Sequence, residues 1–334
     1  MGSHAEEDEM TAHAIRMTTT GGPEVLEYAA IDVPDPRPGE AVVEVHASGV
    51  NFIDTYHRSG LYEVPLPFTP GSEGAGVVTA VGSNVNEVAV GDRVAWVGVA
   101  GSYATRVVAN AGMLMNVPDD IALDIAAAIP LQAMTAHYLI SDTYPLGPGD
   151  TCLVHAAAGG TGRLIVQMAK LRGAQVVATA GSEEKLEIAR DGGADHAINY
   201  REFDIVEAVE AAVGKDAIDA VYDGVGAATF DAGLAVLRPR GVMATFGNAS
   251  GAVPPVSPLA LMPKSLFLAR PSLFSHMLTA EERVARWNEI ISWVQAGELE
   301  IRVGHTWSLA DAGAAHTALE SRATTGKLLL TEGG

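Results

Sequence analysis

Short apolar runs rich in β-branched residues, broken by Gly and Pro, fill the first third of the chain. Ala41–Val45, Gly76–Val81, Arg93–Val97 and Tyr103–Val108 each predict a strand, separated by turns such as Val90-Gly91-Asp92. Asp35-Pro36-Arg37-Pro38-Gly39 carries two prolines and reads as loop or sheet edge. This is the texture of a mostly β domain shaped as a small barrel. Past about residue 120 the pattern changes. Leu123–Ile140 has apolar helical spacing, and Pro145–Asp150 makes a turn. Strand and helix then alternate. Thr151–Ala156, Gln175–Ala180, His196–Tyr200, Ile218–Asp223 and Val242–Phe246 read as strands, and Gly162–Leu171, Ser182–Arg190, Asp204–Val213 and Phe230–Leu237 as helices. Such alternation means βαβ units on a parallel sheet, and right-handed crossovers put helices on both faces. Glu281–Gln295 is amphipathic, with Val284, Trp287, Ile291 and Val294 on one side; Leu309–Leu319 is a helix and Lys327–Thr331 a last strand. The fold class is α/β.

Composition narrows the function. The chain has 334 residues, which points to two domains, and 48% are hydrophobic, so a large core can form. The formal charge is −20. Nucleic acid and anionic membrane surfaces both require basic patches, so neither is an expected partner. No apolar run reaches the roughly 18 residues of a spanning helix, so a cytoplasmic protein is expected. The acidic run Glu6–Glu9 follows Met1-Gly2-Ser3-His4, which reads as a tag remnant, and residues 1–10 are set aside. Cys152 is the sole cysteine, so neither an internal disulfide nor a thiolate zinc site is available.

The chemistry begins after the first strand of the alternating region. Thr151–Ala156 runs into Ala157-Ala158-Gly159-Gly160-Thr161-Gly162 and a helix. This is a dinucleotide fingerprint with Ala157 in place of its first glycine. Glycine lets the backbone approach a pyrophosphate and lets helix and strand pack closely, while the helix N-terminus presents free N–H groups. The next strand ends in Thr179-Ala180-Gly181-Ser182, without the carboxylate that binds an NAD ribose diol. Ser182 can hydrogen-bond a 2′-phosphate and Lys185 can pair with it. Equally, Ser182 can cap the helix and Lys185 can be a solvated charge. Glu183 and Glu184 temper the preference for NADPH unless they point away.

Pro70-Gly-Ser-Glu-Gly-Ala-Gly76, Val77–Gly82 and Val90-Gly-Asp-Arg-Val94 resemble landmarks of the medium-chain dehydrogenase/reductases. In that family's zinc enzymes, a cysteine and a histidine stand at the positions matching Asn51 and Ser72, a third ligand cysteine lies near Gln132, and a structural zinc takes four cysteines. Neither site can form here, so no metal is expected. Asn51–Tyr62 (NFIDTYHRSGLY), Gly21–Leu26, His155–Gly160, Ile198–Arg201, Phe246–Gly251, Arg270–Leu273 and Leu319–Thr324 resemble the zinc-free NADPH:quinone oxidoreductases, of the zeta-crystallin type. His57 departs from an apolar or aromatic position of that motif.

The resemblance implies a GroES-like β-barrel-type catalytic domain (residues 11–130 and 271–334) and a Rossmann doubly wound parallel-sheet domain (131–270), with a cleft between them. It places Gly159, Gly160 and Gly162 on the pyrophosphate of NADPH. Gly181, Ser182, Lys185, Tyr200 and Arg322 fall around the 2′-phosphate, and Phe246, Asn248, Ser250 and Thr135 around the nicotinamide half. Asn51, Asp54, Tyr56 and Tyr62 would line the quinone, with Asn51 or Tyr56 donating to its oxygen and Asp54 orienting its neighbours. A homodimer through a sheet edge near Leu266–Leu268 is the family expectation. The alternatives are an enoyl or alkenal reductase, with Tyr62 as proton donor, and a non-catalytic NADPH-binding protein.

Overall fold

The computed structural model describes residues 12–321 and 324–333; the N-terminal residues set aside above and Arg322 lie outside the described residues. The chain divides into two compact units, residues 1–131 with 301–334, and residues 132–300.

The first unit is built on a seven-stranded sheet. Its spatial order is Val303–Ser308, Lys327–Thr331, Glu40–Val50, Glu73–Val81, Arg93–Val97 and Met115–Asn116, with Arg106–Asn110 also on Glu40–Val50. The eleven-residue strand Glu40–Val50 changes partner along one edge: Arg106–Asn110 pairs with its first half and Lys327–Thr331 with its last residues. Two register shifts against Glu73–Val81 bend it between these partners. Alternate residues Ala41, Val43 and Val45 enter a core with Val78, Val94, Trp96 and Val107. Ile15, Val50, Tyr103, Leu309, Leu328 and Leu330 form a second cluster. Four strands escaped the sequence pattern: Ala12–Arg16 and Glu27–Ile31, which pair antiparallel, the two-residue Met115–Asn116, and Val303–Ser308.

The second unit holds six parallel strands in the order His196–Asn199, Gln175–Ala180, Thr151–Val154, Ile218–Asp223, Leu237–Thr245, Phe267–Ala269. In chain order this is the 3-2-1-4-5-6 arrangement of a dinucleotide-binding fold, as expected. Gly160–Leu171 packs on Glu183–Asp191, and Ile205–Val213 on Phe230–Val236. Leu153, Val177, Ile198, Val221 and Met243 fill the core. No helix among the described residues is long and apolar enough to cross a membrane.

Two expectations shift. The helix expected over 123–140 is broken into Leu123–Ala128 and Pro130–Tyr138, followed by one wide turn, Leu139–Thr143. Pro130 has no N–H to continue the ladder and its ring crowds the preceding turn. The boundary expected at 271 falls at 301. Helix Ala280–Gln295 buries Trp287, Ile290 and Ile291. It binds the second unit through Arg286–Asp142 (2.6 Å) and His137–Glu289 (2.9 Å), and Glu300 follows with Arg163 (2.6 Å).

Candidate functional site

In the second unit, every predicted cofactor residue on a strand-end loop lies at the carboxyl edge of the sheet. The turn after Thr151–Val154 starts with Ala156, a non-glycine residue at φ 52°, and not at Ala157. Ala157 is fully buried and its N–H donates to Thr179 O on the next strand (3.1 Å). Gly159 is the N-cap of Gly160–Leu171, so the following N–H groups have no intrahelical acceptor and face out of the turn. The glycines are not equivalent. A Cβ on Gly162 would collide with Ala156 O and lie 3.0 Å from Ala156 C, whereas one on Gly159 would meet only Ala156 O at 3.1 Å. Gly160 faces the Gln132 side-chain amide. Thr135 stands one turn further along that helix and is largely buried.

Gly181 and Ser182 follow the neighbouring strand. A Cβ on Gly181 would lie 2.6 Å from Tyr200 Oη and 3.2 Å from Arg201 Nε, so these two side chains close over the strand end. Ser182 is the N-cap of Glu183–Asp191 but makes no side-chain capping bond, which favours the ligand reading of its hydroxyl over the capping one. Glu183 is drawn back to Arg190 at 2.6 Å, away from Ser182, and Lys185 is half-buried in the first turn. Arg201 belongs to the Ile198–Arg201 stretch read from sequence but was given no site role there; its place beside Gly181 is what draws attention to it.

Phe246 continues the strand Leu237–Thr245, and its ring lies against Gly224. Asn248, with its amide oriented by its neighbours, donates to Gly247 O (3.0 Å) and accepts from Arg270 Nη2 (3.1 Å). Ser250 Oγ donates to Val225 O (2.8 Å) and accepts from Ala228 N–H (3.0 Å). Buried Asp223 organises this corner, accepting from Val225 N, Gly226 N and Thr229 Oγ1 at 2.7, 3.1 and 2.9 Å. Beneath the glycine turn, buried His155 meets Thr179 Oγ1 at 2.9 Å and is kept below its ordinary pKa by burial. Neither Asp223 nor His155 was singled out from sequence. Arg322 lies outside the described residues.

In the first unit, Asn51 meets Asp54, and Tyr56 meets Tyr62, on and just past the helix that follows strand Glu40–Val50. Asn51 is the N-cap of helix Phe52–Ser59, and its backbone N–H donates to Asp54 Oδ2 (2.9 Å). Gly60 ends the helix in the left-handed region at φ 82°. Tyr56 and Tyr62 meet edge to face, ring centroids 5.3 Å apart, and Tyr62 is 38% exposed. His57 packs on Phe68 and Tyr62, where burial lowers its pKa, so it stays neutral.

Two residues at this site were not singled out as site residues from sequence. Asn51 Nδ2 donates to Glu73 Oε1 (2.6 Å) and more weakly to Gly49 O (3.4 Å). Lys327 Nζ donates to Asn51 Oδ1 (2.7 Å) and pairs with Glu73 Oε1. Glu73 and Lys327 are both buried, and Glu73 Oε2 accepts the Leu131 N–H that the Pro130 break leaves free (2.6 Å). One amide, one hydroxyl and a glutamate already neutralised by an ammonium do not make a zinc donor set. No group of three metal-binding side chains occurs among the described residues.

Comparisons with known proteins follow the same division. The family model for the alcohol dehydrogenase GroES-like domain matches residues 37–119, and that for zinc-binding dehydrogenases matches residues 160–296. The chain is 42% identical over 322 residues to a quinone oxidoreductase of Pseudomonas aeruginosa, covering 96% of this chain and 99% of that one. It is 38% identical over 320 residues to a 2-haloacrylate reductase of a Burkholderia species, covering 93% and 96%. The solved structure of Escherichia coli quinone oxidoreductase complexed with NADPH matches with a TM-score of 0.93 at 41% identity, covering 96% of this chain and 99% of that one.

Proposed function

The chain belongs to the quinone oxidoreductases, a zinc-free branch of the medium-chain dehydrogenase/reductases, and from that premise we propose that it is an NADPH-dependent quinone reductase. The observation that carries this reading is the glycine turn at Gly159–Gly162, set beside a strand end, Gly181-Ser182, that has no carboxylate. NADPH, when bound, supplies the hydride. The N–H groups at the start of Gly160–Leu171 hold the pyrophosphate. Ser182, Lys185, Tyr200 and Arg201 surround the 2′-phosphate. Thr135, Phe246, Asn248 and Ser250 orient the nicotinamide half.

A quinone spreads developing charge over its ring, so positioning and hydrogen bonding suffice without a Lewis acid. Asn51 is held at both ends, Oδ1 by Lys327 and Nδ2 by Glu73. Only the long contact to Gly49 O occupies its second amide hydrogen, which a quinone oxygen can take. Tyr56 is the other donor.

Turnover measured with NADPH and NADH, crossed with 1,4-benzoquinone, enals and alcohols, tests the reading. NADPH with benzoquinone is expected to react and alcohols are not. Ser182→Asp, which sets a carboxylate against the 2′-phosphate, is expected to lower kcat/KM for NADPH by about 100-fold and to spare NADH. Tight NADPH binding with no turnover on any acceptor would leave a non-catalytic binding protein.

A second reading is reduction of electron-poor carbon–carbon double bonds, favoured by the 2-haloacrylate reductase relative and by the exposed Tyr62 phenol at the Tyr56 ring. There proton delivery is obligatory. Tyr62→Phe is then expected to abolish enal reduction and to leave quinone reduction within about twofold. Equal losses on both substrates would remove Tyr62 as a proton donor.

We further propose a homodimer through the edge strand Phe267–Ala269, which is paired on one side only and leaves Phe267 60% exposed. Sedimentation is expected to show a dimer that Phe267→Lys converts to monomer; a monomeric parent protein would refute it.

A further inference from the structure

Tyr103, His316 and Arg58, behind Asp54, take no part in the scheme above, yet with Asp54 they form one connected set. Asp54 is fully buried. Its Oδ2 accepts from Asn51 N–H and from the Tyr103 hydroxyl (3.0 Å), while its Oδ1 is buried without a partner. Tyr103 Oη lies 3.1 Å from His316 Nε2, and His316 Nδ1 lies 3.2 Å from Arg58 Nη1. A guanidinium can only donate, so Nδ1 is the acceptor and the neutral ring carries its proton on Nε2. That proton goes to the Tyr103 oxygen, which leaves the Tyr103 hydrogen for Asp54. The links Arg58, His316, Tyr103, Asp54 therefore all donate in one direction. Glu320 closes the far end, accepting from Arg58 Nη2 at 2.9 and 3.1 Å. Burial, and then the charge of Arg58, press His316 down to about 3, which keeps it in the neutral form that the chain requires.

We propose that Tyr103 and His316 are positioning residues of the reductase, relaying the charge of Arg58 onto the Asp54 carboxyl at the root of the helix that carries Tyr56. This rests on the substrate-side reading given above. The groups around Asp54 are Lys327 and Glu73 from two strands, Tyr103 from a loop, Arg58 from its own helix, and His316 and Glu320 from helix Ala312–Glu320. Two cations balance two carboxylates, so Asp54 is the odd carboxyl of the set. Burial is the main influence on it and pushes it up to about 7, against the donors from Asn51 and Tyr103 and the charge of Lys327. When ionised, it makes charge-assisted bonds that fix Asn51 and the start of the helix.

The test combines kcat/KM for 1,4-benzoquinone at saturating NADPH, over about pH 5 to 9, with an infrared titration of the protonated carboxyl stretch. The parent protein is expected to gain activity and lose the infrared band with midpoints near 7. Asp54→Asn should lack the band and stay at the low-pH activity at every pH, about tenfold below the parent plateau. Tyr103→Phe should move both midpoints up by about one pH unit, because the carboxylate loses a donor. His316→Leu should move them less, in the same direction. If the Asp54 substitution does not fold, the two relay variants still decide the matter. A Tyr103→Phe protein with the parent infrared midpoint overturns the proposal, whatever its activity. An infrared shift in a protein that reduces no quinone supports the relay onto Asp54 and overturns the reductase reading instead.

Discussion

Gly162→Ala is expected to raise the dissociation constant for NADPH by about 100-fold and to destabilise the second unit by about 3 kcal/mol. The new methyl group would overlap Ala156 O and stand 3.0 Å from Ala156 C and 3.1 Å from Ala157 Cα. All three are backbone atoms of the turn itself, so no side chain can rotate out of the way. The first turn of Gly160–Leu171 must back off from the strand end, and it takes with it the N–H groups proposed above to hold the pyrophosphate. The neighbouring glycines provide the controls. At Gly159 the added carbon meets a single atom, Ala156 O at 3.1 Å, and a shift of a few tenths of an ångström absorbs it. At Gly160 the obstacle is the Gln132 side chain, with Cδ at 2.5 Å, whose far end can swing aside. The expected order of damage is therefore Gly162, then Gly160, then Gly159. Fluorescence titration with NADPH and thermal unfolding read both quantities. Equal affinities for the Gly162→Ala and Gly159→Ala proteins would show that close helix–strand packing is not what shapes the turn.

Lys327→Met is expected to cost about 3–5 kcal/mol, because it strands the Glu73 carboxylate in a site with no exposure. Glu73 Oε1 would keep only the Asn51 amide, and Asn51 Oδ1 would lose its donor, freeing the amide to turn over. Glu73→Gln combined with Lys327→Met removes both charges and leaves an amide that can still accept from Leu131 N–H. The double variant should recover at least half of the lost stability, although each single variant is damaged. Denaturant unfolding of the three proteins measures this coupling. Additive losses would mean that the buried pair has no energetic link and that Asn51 is oriented by something else. Quinone kinetics add an independent readout. Once the amide is no longer oriented, kcat should fall more than KM rises, since a hydrogen bond to the quinone oxygen strengthens as charge develops there.

These two sites differ in how far apart their parts lie along the chain. The phosphate turn is local. Strand, glycines and helix occupy consecutive positions, and their physics, close backbone approach followed by free helix N–H groups, acts over a few residues. That is why Ala157–Gly162, the strand–helix alternation and the empty acidic position after Ala180 could all be read from sequence. The lack of zinc ligands was legible too, because the zinc enzymes that the chain resembles carry a cysteine and a histidine where Asn51 and Ser72 stand here. Fold and cofactor followed from features of this kind.

Lys327 and Asn51 are 276 residues apart, and Tyr103 and His316 are 213 apart. In the string Lys-Leu-Leu-Leu-Thr, a lysine at a strand start reads as a solvated charge, and nothing in its neighbours predicts burial against a glutamate. His316 on a short helix reads likewise as one of ten dispersed histidines. Their roles exist only because antiparallel pairing lays Lys327–Thr331 beside the end of Glu40–Val50, and because helix Ala312–Glu320 covers Tyr103. The boundary at 301 has the same origin: Arg286, Glu289 and Glu300 find their partners on helices far earlier in the chain. Periodicity and spacing record what a residue does for its own element. A charge satisfied across the fold leaves no periodic trace, so the groups that position Asn51 and Asp54 emerge only when distant strands are hydrogen-bonded together.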